Sequence, residues 1–263
     1  MNIPTPSGEE RHIQRRGGAT IDGAPVAYVA ALTAVMIAFT IIPLPLSVVI
    51  GFGRSFPLSQ GLYGLVGWLL GPLAGALANG IGVLIGIFVN PQNTTIPGAS
   101  VAGAAVGALA AGALGATGSR RRWTLPLVLF FVLEYLLYGG RAIVQNGVDV
   151  RAVLAGSFIN WSALLLFILP IRVLCARWLR HADLRYVTVA LFLGTWISSG
   201  LAHLTSATWV YFIHNWPAEN WWLMAPAAPV EHVARCVIGA IVGTGVIAGL
   251  RATGILKPLH AAY

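Results

Sequence analysis

Two groups of ionisable residues interrupt otherwise apolar stretches of this sequence, and they are where chemistry should be sought first. Glu134, Tyr138 and Arg141 stand at i, i+4 and i+7, which puts all three on one face of a helix. Glu231 and Arg235 form an i,i+4 pair of opposite charge with His232 beside them. His203 and, in what reads as the following loop, His214 lie at a similar depth, and Arg54 follows the first apolar stretch. Aromatic residues gather at the same level: Trp209, Tyr211, Trp216, Trp221 and Trp222. An ionisable side chain in a bilayer is expensive, so each is by default a candidate for a functional site. The arginines have few local acids to pair with and suit an anionic group, whereas the aromatics suit a flat ring. The candidate substrate-binding residues are therefore Arg54, Glu134, Tyr138, Arg141, His203, Trp222, Glu231 and Arg235, converging on an outward-facing site. Competing with this are plain structural readings: helix-to-helix charge pairing, an interfacial aromatic belt, and hydrogen-bonded packing of the histidines.

Catalysis is not expected. The sequence contains no HExxH, no GxSxG and no SxxK, and its carboxylates are not spaced for paired acid–base work. Cys175 and Cys236 lack metal-ligand spacing and read as small buried apolar residues. No catalytic residue, metal ligand or cofactor is assigned. Another class of function is a non-catalytic subunit of a larger membrane complex, with His203 or His214 ligating a haem- or chlorophyll-type cofactor. The lack of paired histidines at facing levels counts against it.

The elements that must position these groups follow from composition. Of 263 residues, 57% are hydrophobic and only 9% charged, with a mean hydropathy of +0.79. Soluble domains carry about 25% charged residues, so a soluble enzyme and a nucleic-acid-binding domain are both excluded despite the net charge of +8. The expected fold is an all-α, polytopic transmembrane helical bundle. Its spans, at about 20 residues each, are Ala24–Leu44, Leu58–Leu70, Leu73–Asn90, Ala99–Thr117, Thr124–Gln145, Arg151–Leu174, Tyr186–Ile213 and Pro229–Leu250. Residues 1–23 read as a disordered cytoplasmic tail, 24–252 as one membrane domain and 253–263 as a C-terminal cytoplasmic tail. With the N-terminus inside, twelve of the 16 Lys and Arg residues fall on the cytoplasmic side and four outside. The expected location is the plasma membrane of a prokaryotic-type cell, and the basic excess needs no nucleic acid.

Lipid gives helices no hydrophobic reason to associate, so close packing relies on small residues. The spacings Gly67/Gly71/Gly75, Gly82/Gly86, Gly103/Gly107, Gly239/Gly243 and Gly245/Gly249 mark expected helix contacts. In the first span Ala27, Ala31, Ala34 and Ala38 follow a 4-3-4 spacing and form one smooth stripe.

The run Pro43-Leu44-Pro45-Leu46, Phe56-Pro57-Leu58-Ser59-Gln60, Leu69-Leu70-Gly71-Pro72-Leu73-Ala74-Gly75-Ala76 and Gly80-Ile81-Gly82 resembles the substrate-binding S components of energy-coupling factor (ECF) transporters. Pro229-Val230-Glu231-His232 and Ile238 to Thr244 are similar to the last helix of that family. The resemblance covers residues 24–117 and 227–252. Members usually have six spans, two fewer than counted here, and no ligand-contacting residue transfers by motif. The resemblance implies capture of a vitamin-like or other trace compound from outside. It further implies docking of the Ala27, Ala31, Ala34 and Ala38 face onto a transmembrane coupling subunit driven by two cytoplasmic ATPases. This chain has no Walker A sequence of its own.

Overall fold

The computed structural model describes residues 18–47, 55–94, 96–116 and 123–263, and the fold is almost wholly helical. Arg54 and the basic run 120–122 lie outside the described residues. A two-residue hairpin, β1 (Thr20–Ile21) with β2 (Ala24–Pro25), leads into helix α1 (Val26–Ile41). The short antiparallel pair β3 (Pro43–Ser47) and β4 (Ser55–Pro57) follows. The remaining helices are α2 (Tyr63–Leu70), α3 (Pro72–Val89), α4 (Pro97–Gly115), α5 (Thr124–Gly140), α6 (Val150–Gly156), α7 (Phe158–Ile168), α8 (Ile171–Leu179), α9 (Leu184–His214) and α10 (Ala218–Thr253). A π-helical turn, Arg141–Gln145, extends α5.

Helix boundaries follow local chemistry. Gly71 takes φ +92°, a conformation open to glycine, and Pro72 starts α3 where its missing N–H costs nothing. Asp149 caps α6 by accepting from the backbone N–H of Arg151, and Asp183 caps α9 by accepting from that of Arg185.

Among the described residues, five helices are long and apolar enough to cross a membrane: α3, α4, α5 with its extension, α9 and α10. The bent pair α6–α7, turned by 71° at Ser157, makes a sixth if counted as one span. The chain is a multi-pass membrane protein in architecture, but eight full-length spans are not reached. The expected second span, Leu58–Leu70, is a 3-10 turn and the eight-residue α2, buried along its whole length. An apolar helix with no polar face has nothing to present to water and sits inside the bundle. The expected sixth span breaks at Ser157 and again before Ile171. The last helix runs 36 residues, through Pro226 and Pro229, instead of beginning at Pro229.

Helix α9 is the axis of the bundle, touching α2, α4, α5, α7, α8 and α10, while α1 lies at the periphery against α3. Most expected small-residue contacts form. A Cβ on Gly82 would come within 2.5 Å of Met36 Cβ, and one on Gly75 within 2.8 Å of Gly67 Cα. Gly103 and Gly107 admit Ala202 of α9, and Gly239 admits Thr195 and the Gly61 carbonyl. Gly245 and Gly249 differ: they face open space, so that spacing seats no helix within the chain.

The hairpin that opens the described residues meets the C-terminal segment at one end of the bundle. Leu259 N–H donates to the Gly23 carbonyl at 3.1 Å, and Ala262 N–H donates to the Trp68 carbonyl at 2.7 Å. Residues 258–263 are thereby tied across the α2–α3 junction, with Ala262 buried.

Candidate functional site

The candidate residues divide into two groups on different faces of α9. His203 and Thr205 are two positions apart and so point about 200° apart. Thr205 donates to Glu134 of α5 at 2.8 Å, whereas His203 Nδ1 pairs with Asn160 Oδ1 of α7 at 2.8 Å.

The first group is a polar centre between α7, α9 and α10. Arg235 reaches back one turn and donates to Glu231 at 3.1 Å, both residues being buried. The Phe56 ring lies over the guanidinium, 5.0 Å from centroid to Cζ. His232 Nε2 meets the Trp196 carbonyl at 2.9 Å and its ring packs edge-on to that indole at 4.7 Å. The indole N–H of Trp196 donates to Ser162 at 3.1 Å. Two glycines bring these pieces together: a Cβ on Gly200 would stand 3.0 Å from the Ile159 carbonyl and 3.5 Å from His232 Nε2, and one on Gly61 would stand 2.9 Å from the Arg235 carbonyl. Several polar atoms in this region are buried without a partner among the described residues: Arg235 Nε, His232 Nδ1, Asn160 Nδ2, Thr195 Oγ1 and Ser198 Oγ. Buried polar atoms are nearly always hydrogen-bonded, and four more without a partner lie in the aromatic group described next: Tyr138 Oη, Arg141 Nε, Trp216 Nε1 and Trp221 Nε1.

The second group surrounds Tyr138. Its ring packs against Trp221 at 5.0 Å, Tyr211 at 5.5 Å and Trp216 at 6.5 Å, and these three also pack on one another. Arg141 lies over Phe212 at 4.4 Å instead of meeting a carboxylate. Asn146 bridges Tyr211 and Asn215, closing the cluster at the end of α9.

Several expectations are corrected here. Arg141 and Arg235 have different neighbours: Arg141 lies over Phe212, and Arg235 has Glu231 as its acid. Arg235 lies about 25 Å along α10 from Ala218, and His203 about 16 Å from the end of α9, at 1.5 Å per residue. Helix α10 begins eleven residues before Pro229, since a membrane helix tolerates internal proline. His214 is the last residue of α9 and not part of a loop. Trp222 is 53% exposed and joins neither group, whereas its neighbour Trp221 is fully buried. Adjacent helix positions differ by 100°, and one faces the core. The aromatic belt is thus split, with Trp209 and Trp222 outward and Tyr211 and Trp221 in the core.

Unlike the pair at 231 and 235, Asn160, Trp196 and Ser162 were not among the residues singled out. A signal for them existed: Trp196, Ser199 and His203 stand at i, i+3 and i+7 and give α9 a polar stripe. Cys175 and Cys236 are buried and free, as small apolar residues would be. No cluster of three metal-ligating side chains occurs among the described residues.

The aromatic group predicts a contrast between neighbours. Trp221→Ala removes a fully buried ring packed on three others and should cost about 3–5 kcal/mol. Trp222→Ala should change stability by no more than about 0.5 kcal/mol. Thermal unfolding in detergent, followed by size-exclusion chromatography, reads both; equal losses would contradict the assignment.

The chain matches no known family model, and no curated protein or solved structure is significantly similar to it.

Proposed function

We propose that this chain is the membrane-embedded capture component of an ATP-driven uptake system for a small trace compound. It would work with a transmembrane coupling subunit and two cytoplasmic ATPases, as its resemblance to ECF S components implies. The observation that carries the reading is the polar centre around Arg235, where buried donors and acceptors stand without partners in the middle of an apolar bundle. Leaving them unmet costs about 1–3 kcal/mol each, a cost that a bound polar molecule removes.

Two further features support the proposal. Ala27, Ala31, Ala34 and Ala38 all face away from the bundle, while Val29, Met36 and Thr40 of the same helix face inward. The stripe is therefore uncovered among the described residues and open to a partner. Arg180, Arg251 and Lys257 gather at the end where the β1–β2 hairpin meets the C-terminal segment. That basic end is the cytoplasmic one by the positive-inside rule, in the plasma membrane of a prokaryotic-type cell.

Native mass spectrometry of protein purified from cells grown in rich medium tests the capture step. A retained small molecule, lost in the His232→Phe variant, is the expected result. Protein that carries none, and shows instead a Soret-type absorption band, would move the assignment to a cofactor-bearing subunit.

A further inference from the structure

We infer that the polar centre is built for a neutral, planar compound that presents an amide-type edge, with a ring N–H beside a C=O. This rests on the capture reading above and adds the chemical class of the captured molecule.

The argument is one of hydrogen-bond valence. The Trp196 carbonyl can only accept, so His232 Nε2 carries the hydrogen at their 2.9 Å contact. In a neutral imidazole the other nitrogen is then a bare acceptor, and His232 Nδ1 is buried with no donor to meet it. Asn160 presents its oxygen to His203 Nδ1 at 2.8 Å, which leaves the amide N–H groups of Asn160 as unmet donors. Arg235 uses a terminal nitrogen for Glu231, and its Nε–H is a second unmet donor. All three residues are at most 3% exposed. Gly200 of α9 joins the two sides, since a Cβ there would stand 3.0 Å from the carbonyl of Ile159, next to Asn160, and 3.5 Å from His232 Nε2.

A molecule that completes this set must bring acceptors for Arg235 Nε–H and Asn160 Nδ2–H together with a donor for His232 Nδ1. A carboxylate has acceptors only. It would leave His232 unmet and would meet Glu231, whose charge already balances that of Arg235. An ammonium ion has donors only, and would leave Arg235 and Asn160 unmet. An N–H/C=O edge supplies both kinds of group without net charge, which suits a centre whose own charges cancel. The N–H/C=O edge is itself planar, and its neighbours are aromatic: the Phe56 ring lies over Arg235 and the Trp196 indole packs edge-on to His232.

Three probes of similar size distinguish these chemistries: 2-pyridone with the amide edge, benzoate as anion and benzylammonium as cation. Each is titrated calorimetrically into the purified full-length chain in detergent. The expected result is at least tenfold tighter binding of 2-pyridone than of either ion. Asn160→Asp turns the unmet donor into an acceptor and should weaken 2-pyridone binding at least tenfold; His232→Phe should do the same. Thermal unfolding of each variant checks that it is folded, and the wild-type ranking decides the matter if one is not. Benzoate or benzylammonium binding as tightly as 2-pyridone would overturn the inference and leave the capture reading standing. Binding of 2-pyridone that is unchanged in both folded variants would overturn the site. If none of the probes binds, the inference falls, and the retained molecule in native mass spectrometry then judges the capture reading separately.

Discussion

Replacing Arg235 with methionine should lower the thermal stability of the protein by roughly 5–20 °C, following a loss of about 3–5 kcal/mol and a shift of a few degrees per kcal/mol for a chain of this size. Arg235 is 3% exposed and Glu231 is 8% exposed, and they meet at 3.1 Å in the middle of a 36-residue helix. Removing one partner strands the other charge in an apolar interior, and the stranded charge, more than the lost attraction, sets the size of the effect. The double variant Glu231→Gln with Arg235→Gln removes both charges while keeping polar side chains one turn apart, and it should recover most of the stability. Its capture of ligand should not recover, because the Nε–H of Arg235 is gone. Recovered folding without recovered binding separates the structural role of the pair from its role in the site. Single variants as stable as the wild type would mean that the pair is solvated and that the polar centre is no site.

Tryptophan at Ala31 or Ala34 should leave folding and ligand binding intact while reducing uptake and co-purification of a coupling subunit at least tenfold. Both alanines face away from the bundle, so a large ring there meets nothing within the chain. The opposite face of α1 gives the control. Gly82 receives Met36 and Gly86 receives Thr40, each at 2.5 Å from where a Cβ would stand. Gly82→Leu should therefore separate α1 from α3 and destabilise the protein, at a cost of about 1–3 kcal/mol or more from overpacking. Stability measured by thermal unfolding, binding by titration and transport by uptake in cells together divide the two faces. Persistent uptake in both tryptophan variants would show that the stripe meets lipid alone, and the energy-coupling proposal would lose its physical basis. Misfolding of both would make the stripe a packing surface.

The contrast between these two faces bears on what was legible beforehand. The 4-3-4 alanine spacing and the Gly82/Gly86 spacing both signal close approach, yet only one of them is used inside the chain. Gly245 and Gly249 carry the same signal and contact nothing. A small-residue spacing shows that a helix can come near, but not that one does.

What the sequence determined by itself is the class of the molecule and the helical neighbours of each residue. Few charges and long apolar runs leave a bundle of membrane helices as the fold, because backbone polar groups in lipid must be satisfied internally. The pairing of Glu231 with Arg235 was readable too, since i,i+4 residues meet on any helix. The tertiary structure alone decided which way each face points. In water, a helix writes its orientation into alternating polar and apolar faces; in a membrane, lipid and protein core are equally apolar, and that record is nearly blank. Trp221 and Trp222, or Arg141 and Arg235, are thus alike in sequence and opposite in role. The length of α10 was hidden for a similar reason, because proline at 226 and 229 reads as a helix end in isolation. Within the bundle α10 continues through both, packed against α6 and α9, and so places Arg235 midway along a 36-residue helix.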